Sequence, residues 1–247
     1  MKDLMRAEFL KIRTTRTVYG LFAAMLALVA FGVFATLGND PFSWRSTPLV
    51  DQEFLFMAGS IMWLFVLVLA LRSFTDEFRH GSIAPTLLAN PDRRRVLLAK
   101  VVAVAATGLV FAVGAYALAL AIGLLRLASE GADANIATVE MAALLGKAGL
   151  TSILWAALGV GLGLAVRHQV AAVVGSFVWI MFIETFLEGP APHVAKFLPV
   201  HAWISAIGPP GSTDVALSAL TGGFMLAAWT AAAIVAGAEL MERRDIA

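Results

Sequence analysis

The chain has 247 residues, of which 60% are hydrophobic and 14% charged, whereas a soluble domain runs nearer about half apolar and about a quarter charged. Its apolar residues come in blocks rather than one-sided stripes, and several blocks reach the ~20 residues that cross a hydrocarbon core about 30 Å thick. This excludes an ordinary soluble domain and predicts an all-α integral membrane protein; the absence of cysteine excludes disulfides, thiolate metal sites and cysteine nucleophiles.

Residues 1–16 read as a helix lying along the membrane surface. Met1, Met5, Phe9 and Ile12 recur at helical spacing beside a cationic stripe of Lys2, Arg6 and Arg13. Such a face buries apolar stems in lipid and presents charge to headgroups. Phe9, Lys11 and Arg13 are its candidate interfacial residues. The helix either anchors the topology or also braces something cytosolic.

Six membrane spans are predicted, at 17–37, 54–74, 101–125, 141–166, 170–187 and 215–239. The first is too long for a signal-peptide core and lacks a small-x-small cleavage site. With both termini cytoplasmic, the outer side holds only Arg45, Arg126, Lys147 and Lys196 among the 18 lysines and arginines. That is a strong positive-inside bias, and an even number of spans places both basic termini on the same side. The loop at 38–53 and the connector at 126–140 suggest no chemistry. The whole chain reads as a single transmembrane domain.

Residues 74–100, FTDEFRHGSIAPTLLANPDRRRVLLAK, lie between the second and third spans. Thr75 or Ser73 is expected to cap a short helix starting near Asp76 and broken by Gly81. Ser82 then caps a second piece that tolerates Pro85 in its first turn. Asn90-Pro91 ends that piece, and Asp92 caps the helix entering span three. The segment 75–92 thus becomes a stiff polar elbow. Arg93, Arg94 and Arg95 stand at a helix start, where the macrodipole disfavours cations, so anionic lipid or an acidic partner surface is expected to offset them.

In span four, Gly159 and Gly163 form a small-xxx-small pair that allows close helix approach, expected to serve packing within the chain. Lys147 and Glu184 are ionisable groups inside spans; they read as an ion pair, as side chains reaching the interface, or as part of a substrate path. Met62, Phe65, Thr151, Phe182 and Glu184 are the candidate path residues, although hydroxyls such as Thr151 and Ser176 commonly bond to their own helix. The segment 188–213 holds five of the nine prolines and is expected to form a broken re-entrant hairpin capping the outer mouth, with Trp203 at headgroup level. The four histidines show no metal-cluster spacing.

No G-x-x-x-x-G-K-[ST] phosphate loop is present. Gly146-Lys147 comes nearest, with Met141 in place of the first glycine and Ala148 in place of the hydroxyl residue.

The run Asp76-Glu77-Phe78-Arg79-His80-Gly81-Ser82-Ile83, then Thr86-Leu87-Leu88-Ala89, Pro91, the arginines and Leu98-Ala99-Lys100 resembles the cytoplasmic loop of ABC-2 type permeases. These are the membrane subunits of ATP-binding-cassette exporters of the type V architecture. The stretch AEFLKIRTTR at residues 7–16 resembles the family's surface helix, and the closing Glu242-Arg243-Arg244-Asp245-Ile246 its tail. The resemblance implies a coupling helix in the elbow, with Glu77, Phe78, Arg79 and Gly81 at the motif positions and Arg93 and Lys100 as flanking cations. It implies an ATPase partner that carries ATP and magnesium, so that this chain binds no cofactor itself. It further implies a second permease copy, a bacterial cytoplasmic membrane and export of an amphiphile: a drug, a peptide antibiotic or a lipid-like molecule. No nucleic-acid partner is expected. The competing readings are a membrane scaffold or sensor and, more remotely, an intramembrane hydrolase using Ser176 and His201.

Overall fold

The computed structural model describes residues 1–39, 53–129, 138–207 and 217–243. The predicted loop at 38–53, the connector at 126–140, the Pro209-Pro210 closure and the tail from Arg244 lie wholly or partly outside these. Among the described residues there is no strand. Six helices are long and apolar enough to cross a membrane: Arg16–Thr36, Ala58–Arg79, Arg93–Arg126, Val139–Val166, Gln169–Glu188 and Ala219–Arg243. They match the six expected spans in number and order.

A first helix, α1 (Lys2–Thr14), precedes α2 (Arg16–Asn39) and α3 (Glu53–Arg79). The expected break before Asp76 does not occur. Nothing in Ser73–Arg79 opposes helix, so α3 continues straight into the polar elbow. The hydroxyls of Ser73 and Thr75 donate back to Ala70 O (2.7 Å) and Leu71 O (2.9 Å) instead of capping a new helix. Gly81, with φ at +67°, ends the run, a backbone state that costs glycine nothing. The short helix α4 (Ile83–Ala89) follows, with Pro85 in its first turn and Asn90 extended at its end. Ser82 holds the N-cap position of α4, but its side chain makes no capping bond. Asp92 does cap α5 (Arg93–Ser129), accepting from the Arg95 N–H at 3.1 Å. Span three therefore begins at Arg93, eight residues before the predicted start at 101.

The helix α6 (Thr138–Val166) is packed on two sides. A Cβ at Gly159 or Gly163 would stand 2.6 Å from Ala70 Cβ or Leu71 O of α3, so these glycines do serve packing within the chain. On the other side Gly161 meets the Ala233–Ile234 backbone of α11 (Ala219–Arg243), and Gly237 of α11 meets Gly161 O. Small residues let backbones touch where lipid supplies no hydrophobic drive.

The fifth span is composite: α7 (Gln169–Val178), a π-helical turn over Trp179–Glu184, and α8 (Thr185–Glu188). Beyond it come α9 (Pro192–Ala195) and α10 (Pro199–Ile207). The break at Pro199 is present, and Trp203 is 2% exposed, buried within the bundle. Its ring lies 5.9 Å from Trp63, which stacks on Trp155 at 4.5 Å. Packing of α10 on α11 and α6 turns that face inward.

Candidate functional site

The elbow lies at the end of the bundle where α3 finishes and α5 begins, and α1 lies against it. Leu4, Glu8 and Lys11 share one face of α1, at one-turn intervals. Leu4 packs with Val96 and Ala99 of α5. Below that contact, Lys100 Nζ donates to Glu8 Oε2 (2.7 Å) and Glu77 Oε1 (2.9 Å). Lys11 Nζ donates to Glu8 Oε1 and Glu77 Oε1, both at 2.7 Å. Three helices are thus cross-linked by two acids and two cations, and the Lys100 ammonium also stands 5.0 Å from the Phe74 ring.

Glu77 is 6% exposed and Lys100 2%. Glu77, at an expected motif position, and Lys100, an expected flanking cation, therefore both face inward and brace the elbow. Removing one member would strand buried charge, which is what makes such a network stiff. Burial alone would raise the Glu8 carboxyl, but the charge and hydrogen bonds of Lys100 and Lys11 hold it below the ordinary value. Burial likewise opposes the Lys11 ammonium, yet its bonds to Glu77 and Glu8 raise it above the ordinary value.

The other elbow residues divide between scaffold and surface. Phe78 is half-buried under the Arg167 guanidinium, 5.0 Å from its ring, and Arg79 donates to Gln169 Oε1 at 3.0 Å. These contacts tie the elbow to the α6–α7 turn, where Arg167 holds a left-handed φ of 59°. Each of the three arginines has a partner within the chain. Arg93 donates to Met241 O at the end of α11, Arg94 pairs with Glu242 at 3.3 Å, and Arg95 pairs with Asp92 at 2.9 Å. Cations at the carbonyl end of one helix offset their unfavourable place at the start of another. Projecting from this scaffold is α4, whose Leu88 is 84% exposed.

In α1 the inward face is carried by Leu4 and Glu8, while Phe9 and Arg13 are exposed and Lys11 is half-exposed. Sequence reasoning missed Glu8. The available signal was its spacing of four from Leu4 and three from Lys11, on one helix face.

The candidate path residues do not come together. Met62, Phe65 and Thr151 are buried in the bundle, whereas Phe182 is exposed. The Thr151 hydroxyl bonds to Lys147 O (2.9 Å) of its own helix. Lys147 and Glu184 form no ion pair: Lys147 is exposed, and Glu184 is buried in another set of bonds. Trp179 Nε1 donates to Glu184 Oε1 at 3.1 Å and the Val200 N–H to Oε2 at 3.0 Å, with His201 Nδ1 3.5 Å away. The π turn makes this possible. Residues i and i+5 stand about 140° apart round an α-helix of 3.6 residues per turn, but an i→i+5 ladder brings them nearly into line. His201 is occupied by Glu188 at 2.6 Å and Ser176 by Ala172 O at 2.7 Å, so no Ser/His pair is formed.

The model of the ABC-2 family transporter protein family matches residues 4–183, from α1 into the fifth span. No curated protein matches the chain closely enough to count as a relative.

Proposed function

This chain belongs to the ABC-2 family of transporter proteins, and on that premise we propose that it is the permease subunit of an ATP-driven exporter. It is a multi-pass membrane protein of a transporter family. In the proposed arrangement it sits in a bacterial cytoplasmic membrane with both termini inside, pairs with a second copy, and is driven by a separate ATPase that holds ATP and magnesium. The cargo is an amphiphile.

The observation that carries this reading is the construction of the elbow. An exposed apolar helix, α4, is mounted between two membrane-length helices, and the mount is cross-linked by Glu8, Lys11, Glu77 and Lys100. Force applied at α4 would pass into α3 and α5 as tilt, because the joint has little freedom to bend. Leu88 and Arg79 are the exposed contact residues in this scheme; Phe78, Glu77, Gly81 and Arg93 position them.

The test is co-purification of the full chain with an ATP-binding-cassette ATPase. Leu88→Asp places a charge on an exposed position, so folding and insertion should survive while ATPase association falls by about tenfold or more. Undiminished association, with substrate-stimulated ATP hydrolysis intact, would remove α4 as the docking element.

A further inference from the structure

A cavity of about 460 Å³ lies between α7, α6 and α11. Its walls are mainly apolar, formed by Leu158, Leu162 and Val166 of α6, Ala171 and Gly175 of α7 and Ala232 of α11. From Ala171 to Glu184 the wall rises about 20 Å at ~1.5 Å per residue. At the upper end stand Glu184 and the indoles of Trp179 and Trp229.

Among the described residues, Glu184 is the one ionisable side chain in the cavity wall. Glu184 is 1% exposed, and its two hydrogen-bond donors, Trp179 Nε1 and the Val200 N–H, are neutral. Among the described residues its one ion-pair partner is His201, which Glu188 shares at 2.6 Å. His201 lies nearer the half-exposed Glu188 (2.6 Å) than the buried Glu184 (3.5 Å), so a cation beside Glu184 would meet a buried carboxylate that its one charged neighbour compensates only in part.

We propose that this cavity is a binding site for a monocationic amphiphile. The charged end lies against Glu184 beside the Trp179 and Trp229 rings, where carboxylate and cation–π attraction act together. The apolar body lies down the cavity along α6. As a statement about the exporter's substrate class this rests on the transport reading above; as a statement about binding it does not, and its test needs no ATPase.

The full chain, in nanodiscs of zwitterionic lipid, is dialysed against tetraphenylphosphonium, with neutral triphenylphosphine oxide as the control and empty nanodiscs as the blank. Saturable binding of the cation above the blank is expected. Glu184→Gln keeps an acceptor for the Trp179 N–H while removing the charge, and should weaken the cation by about tenfold or more, with the neutral compound changed less than about twofold. Cation uptake no greater than the blank, or equal loss of both compounds, overturns the proposal. If Glu184→Gln does not fold, Ala232→Phe narrows the cavity without touching the carboxylate. Weaker binding of both compounds then supports the site, and unchanged binding overturns it.

Discussion

Glu8 shows how one side chain on a surface helix can report on the whole elbow. Its carboxyl is depressed below 4.5 by Lys100 and Lys11 acting against burial. The stability it contributes is therefore complete above that value and is lost as pH falls through the lower folded-state value. Lys11 is raised above 10.5, so its contribution is complete below that value and is lost as pH rises through the folded-state value. Between those limits Glu8 and Lys11 are both charged. The thermal midpoint of the purified chain should fall on acidification below pH 4.5, and Glu8→Gln should flatten that fall; thermal scans across an acidic pH series check it. An acid limb as steep in the variant would assign the loss to other carboxylates. The elbow was legible in the sequence as a polar island between greasy runs, and its motif residues were found. That Glu77 turns inward was not legible, because its partners Lys11 and Lys100 lie 66 positions before it and 23 after it in the numbering.

At the scale of elements, helix contacts rest on small residues at chosen positions. Gly163 of α6 leaves no room for a methyl group: the added carbon would sit 2.6 Å from the Leu71 carbonyl oxygen, and backbone cannot swing aside as a side chain does. Gly146, on the same helix, has nothing within 4 Å. Gly163→Ala should therefore cost about 1–3 kcal/mol through overpacking, whereas Gly146→Ala should be neutral or stabilising by about 0.5–1 kcal/mol through helix propensity. Unfolding of the two variants by denaturant in detergent separates these outcomes. The small-xxx-small spacing announced a close approach in the sequence. Which helix would fill the groove depended on how α3 and α11 flank α6, and on Gly161 and Gly237 meeting on the opposite side.

For the whole molecule, both described ends lie at one end of the bundle: α1 packs on the beginning of α5, and the last turn of α11 receives Arg93 and Arg94. The short helices α9 and α10 lie at the other end, where Ile207 approaches Gly59 and Tyr116. The proposed orientation, which the positive-inside bias favours, places α1 and α4 in the cytosol. Because the chain has no cysteine, a single introduced thiol tests the orientation. In intact cells, His193→Cys on α9 should react with a membrane-impermeant maleimide, while Arg6→Cys on α1 should react only after lysis. The opposite pattern would invert the topology and place the elbow outside the reach of any cytosolic ATPase.

By itself the sequence determined how many helices can cross a membrane, their order, and the glycine and proline punctuation of the elbow. These are local properties: an apolar block of sufficient length, or a residue that cannot continue a helix, acts through its immediate neighbours. Only the tertiary structure decided which side chains meet. Glu184 joins Trp179 and His201 rather than Lys147, Trp203 joins Trp63 in the core, and Glu77 joins Lys100 and Lys11. Such pairings depend on how each helix is rotated about its own axis. A span that is apolar on every side carries no stripe to declare that rotation, so contacts with its neighbours must set it.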